Sequence, residues 1–185
     1  DQDRDTRANC PDDGRFHYVE SNFRFLRGAL RLREVEQVDG ILADLGVSSH
    51  HFDAVERGFS FRGEAPLDMR MDRTDTLTAR TVVNEWPQEE LRRILYQYGE
   101  ERYAPAIAAA IVRARDQKTI ETTLELVDVI RCAMPPAALR EKQHPAKRSF
   151  QAIRIAVNDE LEAEREMLLT AMDRLCLLYT SPSPR

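Results

Sequence analysis

The sequence contains no long apolar run of the kind that crosses a membrane. A spanning helix needs about 20 consecutive apolar residues, and no stretch among the 185 residues approaches that length. The first residues also lack a basic segment followed by an apolar core, which a secretory leader would show. We therefore expect a protein that does not span a membrane, and its scattered cysteines indicate a reduced, cytoplasmic setting. Because the chain begins with Asp1 instead of Met, we expect its native amino terminus to lie further upstream.

Cysteines are few and widely separated, and basic residues do not exceed acidic ones. Cys10, Cys132 and Cys176 form no paired motif, which argues against a disulfide framework and against a cysteine zinc site. The 27 Lys and Arg residues are outnumbered by 32 Asp and Glu, for a net charge of −5. Proteins that bind nucleic acid over a wide surface are basic. Any site for a polyanion must therefore be a local one.

The first 49 residues have the pattern of alternating strands and helices. Residues 16–19 and 38–43 predict two strands, with a helix near residues 23–33 between them. The second apolar run ends at Asp44, and Gly46 and two serines follow. A buried strand that runs directly into a Gly/Ser turn is typical of a parallel sheet. Residues 50–75 are broken by Gly and Pro and predict irregular structure.

From residue 76 onward the pattern is helical. Pro87 and Thr123 mark two helix starts. Apolar residues at helical spacing predict four helices, marked by Leu91/Ile94/Leu95/Tyr98, Ile107/Ala110/Ile111/Ala114, Leu124/Val127/Ile130 and Phe150/Ile153/Val157/Leu161/Leu168. We divide the chain into a partial α/β core (1–75), a helical domain (76–150), a long helix returning to the core (151–175) and a tail (176–185). The Ser-Pro repeats of that tail indicate non-native sequence.

Asp44 is the strongest candidate for chemistry because it stands at the carboxyl end of an apolar strand. Ligands of open α/β sheets bind outside those strand ends, where a carboxylate can accept a hydrogen bond from an amine or a ribose hydroxyl. The alternative is an Asp that starts a turn by binding a backbone amide. The acidic Asp1 and Asp3 are interpreted either as the end of an earlier strand that holds a ribose or as a solvated terminal cluster.

Two segments between residues 56 and 72 combine charged and apolar side chains. In PLDMRMD (66–72) the two types alternate with period two, which indicates an extended segment. It is either an edge strand or a substrate wall whose methionines adapt to a flat ring. In ERGFSF (56–61), Arg57, Phe59 and Phe61 surround a glycine. They suit a stacked base with its phosphate, and they equally suit a loop pinned by two phenylalanines.

A basic cluster and a histidine pair complete the candidates. Residues 140–154 hold one acid, Glu141, and carry a local charge of +4. Such a cluster at a helix start suits phosphate contacts, although a charge run is more often a solvated face. Adjacent histidines such as His50 and His51, with Asp53 nearby, seldom converge on one ion, so we predict no metal site. The cations of the cluster are Arg140, Lys142, Lys147, Arg148 and Arg154.

Five segments of the sequence together resemble one family. They are DGILADLGVSSHHFD, ERGFSF, PLDMRMD, YGEERYAPAIAAAI and HPAKRSFQAIRIAVNDEL. This ordered set resembles the bacterial 16S ribosomal RNA cytosine-N4 methyltransferases, which use S-adenosylmethionine, and the likeness runs from Asp1 to about Leu175. The resemblance implies an α/β fold: a Rossmann-like class I methyltransferase sheet with an inserted all-helical domain. It also implies methylation of a cytosine amine in the decoding region of the small ribosomal subunit.

The resemblance implies roles for single residues as well. Asp1 matches the acidic residue that binds the cofactor ribose, Phe23 a residue beside the cofactor, and Asp44 a cofactor-site carboxylate. His51 stands where the family usually has a glutamine that contacts the cofactor. The family's glycine-rich cofactor loop would precede Asp1, and its last core segment would follow the fourth helix. We therefore expect an internal fragment that by itself binds S-adenosylmethionine weakly or not at all.

The chemistry of methyl transfer indicates what such a site needs. Cytosine N4 shares its lone pair with the ring, so an acceptor that holds one N–H assists attack and takes the proton. Asp44 is the first candidate for this role, and Asp68 or Asp72 is the second. The alternatives are a methyltransferase acting on another amine and a non-catalytic helical module that binds RNA or protein. The expected RNA contacts are Arg57, Phe59, Lys147 and Arg148.

Overall fold

The computed structural model describes residues 7, 8 and 10–176, and within them the chain is mainly helical. It divides into two units, Asp1–Gly46 with Glu160–Arg185 and Val47–Asp159. Short 3₁₀ helices span Phe23–Phe25, Val55–Arg57 and Ala138–Arg140. The α-helices of the described residues are α1 (Leu26–Arg31), α2 (Ser49–Asp53), α3 (Ala79–Glu85), α4 (Gln88–Gln97), α5 (Ala104–Arg115), α6 (Thr123–Ala133), α7 (Lys147–Asn158) and α8 (Glu160–Arg174). None of these described helices is long and apolar enough to cross a membrane.

Helix α4 shows how the apolar stripes build the core of the Val47–Asp159 unit. Its Leu91, Ile94 and Leu95 are fully buried, as their helical spacing predicts. Pro87 is its N-cap, where the missing N–H costs no helical hydrogen bond. Helices α3, α5, α6 and α7 contribute buried residues to the same cluster. The predicted stripes of α4 to α7 therefore meet in one shared core. The prediction is wrong for Leu124, Leu161 and Leu168, which are 38%, 48% and 50% exposed.

Helix α6 begins at a capping box. The Thr122 hydroxyl accepts a hydrogen bond from the Glu125 N–H at 3.3 Å, and the Glu125 carboxylate accepts one from the Thr122 N–H at 3.2 Å. This reciprocal pair satisfies two amides that the helix leaves without partners. The cap therefore lies one residue before the predicted Thr123. The hydroxyl of Thr123 instead donates to the Gly63 carbonyl at 2.7 Å.

Helices α4 and α7 approach each other closely at Gly99. A Cβ added there would lie 2.5 Å from the Arg148 carbonyl oxygen and 3.1 Å from Cβ of Ala152. Real Cβ atoms essentially never come within 3.0 Å of such an atom. Glycine is therefore required by the spacing of the two helices.

Segment 66–72 turns its apolar side chains into the core. Leu67, Met69 and Met71 are 2%, 0% and 8% exposed, so the alternation predicted from the sequence is confirmed. The segment is not a regular strand, because Pro66 forms only an isolated antiparallel bridge and Met69 has a φ of +61°. The methionines belong to the core, and the prediction of a methionine-lined substrate wall is wrong.

The two strands predicted in the first unit are absent from its described residues. Val38 forms one isolated parallel bridge with Leu175. It donates to the Arg174 carbonyl and accepts from the Cys176 N–H, both at 2.9 Å. Leu42 in the same predicted strand is 98% exposed. A buried strand needs hydrogen-bonded neighbours, and this bridge does not supply them. The α/β sheet expected from the resemblance is therefore not seen in the described residues.

The helical unit is wider than the sequence pattern predicted. The expected boundary near residues 72–78 differs from the observed division, which places residues 47–75 with the helices. These residues join that unit through backbone contacts such as the 3.0 Å bond from the Met69 N–H to the Arg57 carbonyl. The single long helix expected over 151–175 is interrupted at Asp159, whose φ of +48° is left-handed. It therefore exists as two helices, α7 and α8.

Candidate functional site

Asp44 lies in an irregular segment and its side chain is exposed. The segment is followed by Gly46, whose φ of +98° requires a residue without a side chain. In the same unit, Phe23 opens a 3₁₀ helix and is 37% exposed. The side chain of Asn22 caps that helix by accepting from the Arg24 N–H at 3.0 Å. Both predicted cofactor residues are thus accessible in their own unit, whereas Asp1 lies outside the described residues.

His51 is buried and acts as a helix cap. Its Nδ1 accepts a hydrogen bond from the Ser48 N–H at 3.1 Å and lies 3.0 Å from the Ser48 hydroxyl. The ring is 8% exposed and packs against Phe59, with 4.9 Å between ring centroids. These contacts hold the start of α2. The cofactor contact that the resemblance implied for His51 stays a prediction, and it would not involve Nδ1, which Ser48 engages.

Arg57 and Phe59 are each 4% exposed. The Arg57 guanidinium donates through Nη2 to the carbonyls of Arg70 and Met71, at 2.9 and 3.1 Å. It also lies 5.9 Å from the centroid of the Phe59 ring. A buried side chain that satisfies backbone carbonyls cannot clamp a nucleotide without opening the loop. These contacts favour the alternative of a pinned loop, and the RNA contact predicted for the two residues stays a prediction.

Asp68 and Asp72 are both occupied by local hydrogen bonds. Arg70 binds Asp68 through two side-chain bonds of 2.7 and 2.8 Å and one backbone bond of 3.1 Å. Burial alone would raise the pKa of Asp68, but these bonds and the charges of Arg70 and Arg57 lower it below its ordinary value. Asp72 accepts from the N–H and hydroxyl of Thr74 at 2.8 and 2.7 Å. Both aspartates therefore stabilise a turn in this arrangement.

Lys147 and Arg148 open α7, and they differ in their surroundings. Lys147 is exposed. Arg148 is partly buried and donates through Nη1 to the Glu100 carbonyl at 3.3 Å. Of the two predicted RNA contacts, Lys147 has the more accessible charge.

His144 forms a ring pair that sequence reasoning did not identify. Its imidazole stacks on Phe61 with 4.4 Å between centroids and 14° between planes, and Phe61 meets Phe150 edge-on at 5.8 Å. Nδ1 of His144 accepts from the Ala146 N–H at 3.2 Å. Burial, followed by the positive charges of Arg131 and Arg62, lowers the pKa of His144. The one sequence signal for this site is that Arg62 directly follows Phe61. Nothing in the sequence indicates that Arg131 lies near His144, because the two residues are separated by 13 positions.

No three His, Cys, Asp or Glu side chains converge as a metal site within the part of the chain that the structure describes. The unit that contains residues 1–46 has an exposed carboxylate at Asp44. The Val47–Asp159 unit, described by itself, has cations and stacked rings around His144. A carboxylate can accept protons or N–H bonds, and a basic surface with exposed rings can bind nucleic acid.

Known proteins match this chain over nearly its full length. A model of the MraW methylase family matches residues 1–177. The ribosomal RNA small subunit methyltransferase H of Limosilactobacillus fermentum is 53% identical over 161 residues, which are 87% of this chain and 51% of that protein. The protein of the same name from Exiguobacterium sibiricum is 52% identical over 172 residues, which are 90% of this chain and 55% of that protein. The chain thus spans about half the length of the curated relatives it matches. With a family match of this extent, the chain belongs to the MraW methylase family.

Proposed function

We propose that the whole protein transfers a methyl group from S-adenosylmethionine to the N4 amine of a cytosine in small-subunit ribosomal RNA. The main support is the identity of 52–53% to two proteins named as ribosomal RNA small subunit methyltransferases. Those names state the reaction and the RNA. The resemblance of the sequence motifs supplies the cofactor, the cytosine amine and the decoding region. Because the chain spans about half of each relative, the activity is proposed for the whole protein.

Two described residues are accessible and have the chemistry to hold the cofactor. Asp44 offers an exposed carboxylate, which accepts hydrogen bonds from amines and hydroxyls. Phe23 offers a ring that is 37% exposed and can pack on a flat heterocycle. Both would act with Asp1. For His51 a cofactor contact would leave out Nδ1, which Ser48 engages, and would be made by a buried ring. When bound, S-adenosylmethionine supplies a methyl group on a positively charged sulfur.

We assign to Asp44 the role of accepting the proton that the cytosine N4 amine loses. Its carboxylate accepts one N–H of the cytosine amine, which draws the nitrogen lone pair out of conjugation with the ring. The surplus proton of the methylated amine then passes to Asp44. Asp68 is less suited to this role because Arg70 binds both of its oxygens and its pKa is low. Asp72 is engaged with Thr74 through Oδ1.

The test is methyl transfer by the whole protein with labelled S-adenosylmethionine and small-subunit RNA, followed by mass spectrometry of the nucleosides. We expect N4-methylcytidine. Methylation of a different nucleobase amine would support the related-methyltransferase alternative and contradict the cytosine assignment. Absence of any transfer, to naked RNA and to assembled subunits alike, would overturn the proposed reaction.

The role of Asp44 is tested separately with two variants. Asp44→Ala should lower turnover by about 10²- to 10⁴-fold, the usual contribution of a positioned acid or base. Asp39→Ala is the matched control, since Asp39 is also exposed and lies five residues earlier. It should keep wild-type turnover. Equal turnover in Asp44→Ala and the wild type would remove Asp44 from the mechanism.

A further inference from the structure

One face of the Val47–Asp159 unit carries cations that no carboxylate neutralises. Other cations of this unit are each paired with a glutamate: Arg80, Arg92, Arg93, Arg102 and Lys118. Among the described residues, no carboxylate comes within 4.0 Å of the five cations of the second set. These are Arg62, Arg131, Arg140, Lys142 and Lys147, and all five are exposed. We call this set the His144 face.

Three of these cations, Arg62, Arg131 and Lys147, are placed near the stacked rings of His144 and Phe61. Arg62 directly follows Phe61, whose ring centroid is 4.4 Å from that of His144. The N–H of Lys147 donates to the His144 carbonyl at 3.0 Å, which folds the start of α7 back toward the ring. Arg131, in the last turn of α6, is close enough for its charge to lower the pKa of His144, after the larger effect of burial. Residues from three parts of the unit thus meet at one ring pair.

The acidic residues near the His144 face do not offset its charge. Glu141, the acid nearest along the chain, is bound by Arg102 at 2.7 Å. Glu64 and Asp128 come within 4.0 Å of none of the five cations in the described structure. Like charges gathered at one surface repel each other and oppose folding unless an anion compensates them.

In the neutral imidazole of His144, Nε2 is the nitrogen that carries the proton and can donate a hydrogen bond. Its Nδ1 is an acceptor for the Ala146 N–H at 3.2 Å, so the proton of the neutral ring resides on Nε2. His144 is partly covered by the stacked Phe61 ring, and the rest of the residue is exposed. An exposed ring with surrounding cations combines a stacking platform for an unpaired base with contacts to phosphates. An acidic polypeptide would use the cations and would have no use for the rings.

We propose that the His144 face binds single-stranded RNA, with Arg62, Arg131 and Lys147 on the phosphates and the His144–Phe61 ring pair beneath a base. The inference rests on the proposed function, since it assigns the surface by which the RNA substrate is held. It also replaces the buried Arg57 and Phe59 as RNA contacts. The negative net charge of the chain is consistent with a local site of this size.

The experiment measures binding of a fluorescein-labelled single-stranded 20-nucleotide RNA to the 185-residue chain by anisotropy, over a range of salt concentrations. The test variant is Arg62→Ala/Arg131→Ala/Lys147→Ala. The control, Arg80→Ala/Arg92→Ala/Lys118→Ala, removes the same charge from glutamate-paired cations. The test variant should bind at least about tenfold more weakly, and its slope of log K against log salt should fall by about 2, since each single-strand phosphate contact contributes about 0.7. The control should stay within about twofold of the wild type.

Three results would overturn the proposal: equal losses in both variants, no loss in the test variant, or competition by polyglutamate as strong as that by unlabelled RNA. The last result would assign the face to an acidic protein. Circular dichroism melts of both variants establish that each is folded, and Lys147→Arg should retain binding. His144→Ala should weaken binding to RNA more than binding to an abasic oligonucleotide of equal charge. Methyl transfer by the wild-type whole protein decides the proposed function separately, because this binding test requires no turnover.

Discussion

Asn158 and Met71, 87 residues apart in the chain, are joined by a 2.7 Å hydrogen bond between the Asn158 Oδ1 and the Met71 N–H. The Asn158 amide also donates to the Met69 carbonyl at 2.8 Å. One buried side chain at the end of α7 thus satisfies two backbone groups of segment 66–72. The packing of that segment against the helices depends on this amide as well as on its methionines.

Removing the Asn158 amide should destabilise the Val47–Asp159 unit. Asn158→Ala leaves the Met71 N–H and the Met69 carbonyl without their partners, and each such buried group costs about 1–3 kcal/mol. We expect a loss of about 2–4 kcal/mol in urea unfolding followed by fluorescence of Trp86, the single tryptophan. Gln151→Ala, an exposed change on the same helix, should stay within about 0.5 kcal/mol. Equal stabilities of the two variants would contradict this account.

Replacing Gly99 with alanine should force α4 and α7 apart. The new methyl would lie 2.5 Å from the Arg148 carbonyl oxygen, and overpacking of this kind costs about 1–3 kcal/mol. Gly28→Ala is the contrasting change, because a Cβ there meets nothing within 4 Å and lies inside α1. It should be neutral or stabilising by up to about 1 kcal/mol. Thermal melts of both variants, followed by circular dichroism, measure the difference. A Gly99→Ala protein as stable as the wild type would show that α4 and α7 can move apart without loss of stability.

Ser149 should tolerate loss of its hydroxyl. The side chain is fully buried, and its Oγ has no hydrogen-bond partner among the residues that the structure describes. Removing a buried polar group that lacks a partner avoids its desolvation penalty. Ser149→Ala should therefore equal the wild type or gain up to about 1 kcal/mol in the same urea unfolding. A clear loss of stability would indicate that the hydroxyl is bonded after all.

The capping box of α6 should contribute stability that depends on pH. The bond from Lys118, followed by those from the Glu121 and Thr122 amides, lowers the pKa of Glu125 to about 2 from its ordinary 4.5. Because the folded-state pKa is the lower one, the contribution is complete above pH 4.5 and is lost as pH falls toward 2. NMR titration of the Glu125 carboxyl should show the low midpoint. Glu125→Gln should flatten the stability profile between these pH values, and an unchanged profile would disprove the link.

The helices could be predicted from the sequence because their signals are local. Leu91, Ile94 and Leu95 repeat at helical spacing and are buried in α4 as predicted. The period-two pattern of 66–72 likewise placed Met69 and Met71 on one side of the segment, although it did not identify that side as the core. In each case the pattern and the burial lie on the same short stretch of chain.

The strands and much of the site could not be predicted because they depend on distant partners. Val38 needs neighbours along a sheet, and the described structure supplies only the bridge to Leu175. Arg57 has the composition of an RNA contact, and only the fold shows that carbonyls 13 and 14 residues away engage its guanidinium. The closeness of Arg131 to His144 is invisible in the sequence for the same reason.

The inward orientation of Met69 and Met71 protects their sulfur atoms from oxidation. Oxidants reach thioether sulfurs that are in contact with water, and a sulfoxide formed in a core would disrupt its packing. These two methionines are 0% and 8% exposed, whereas Met172 on α8 is 75% exposed. Peroxide should therefore oxidise Met172 long before Met69 and Met71. Oxidation of Met172 should leave the core of the Val47–Asp159 unit folded.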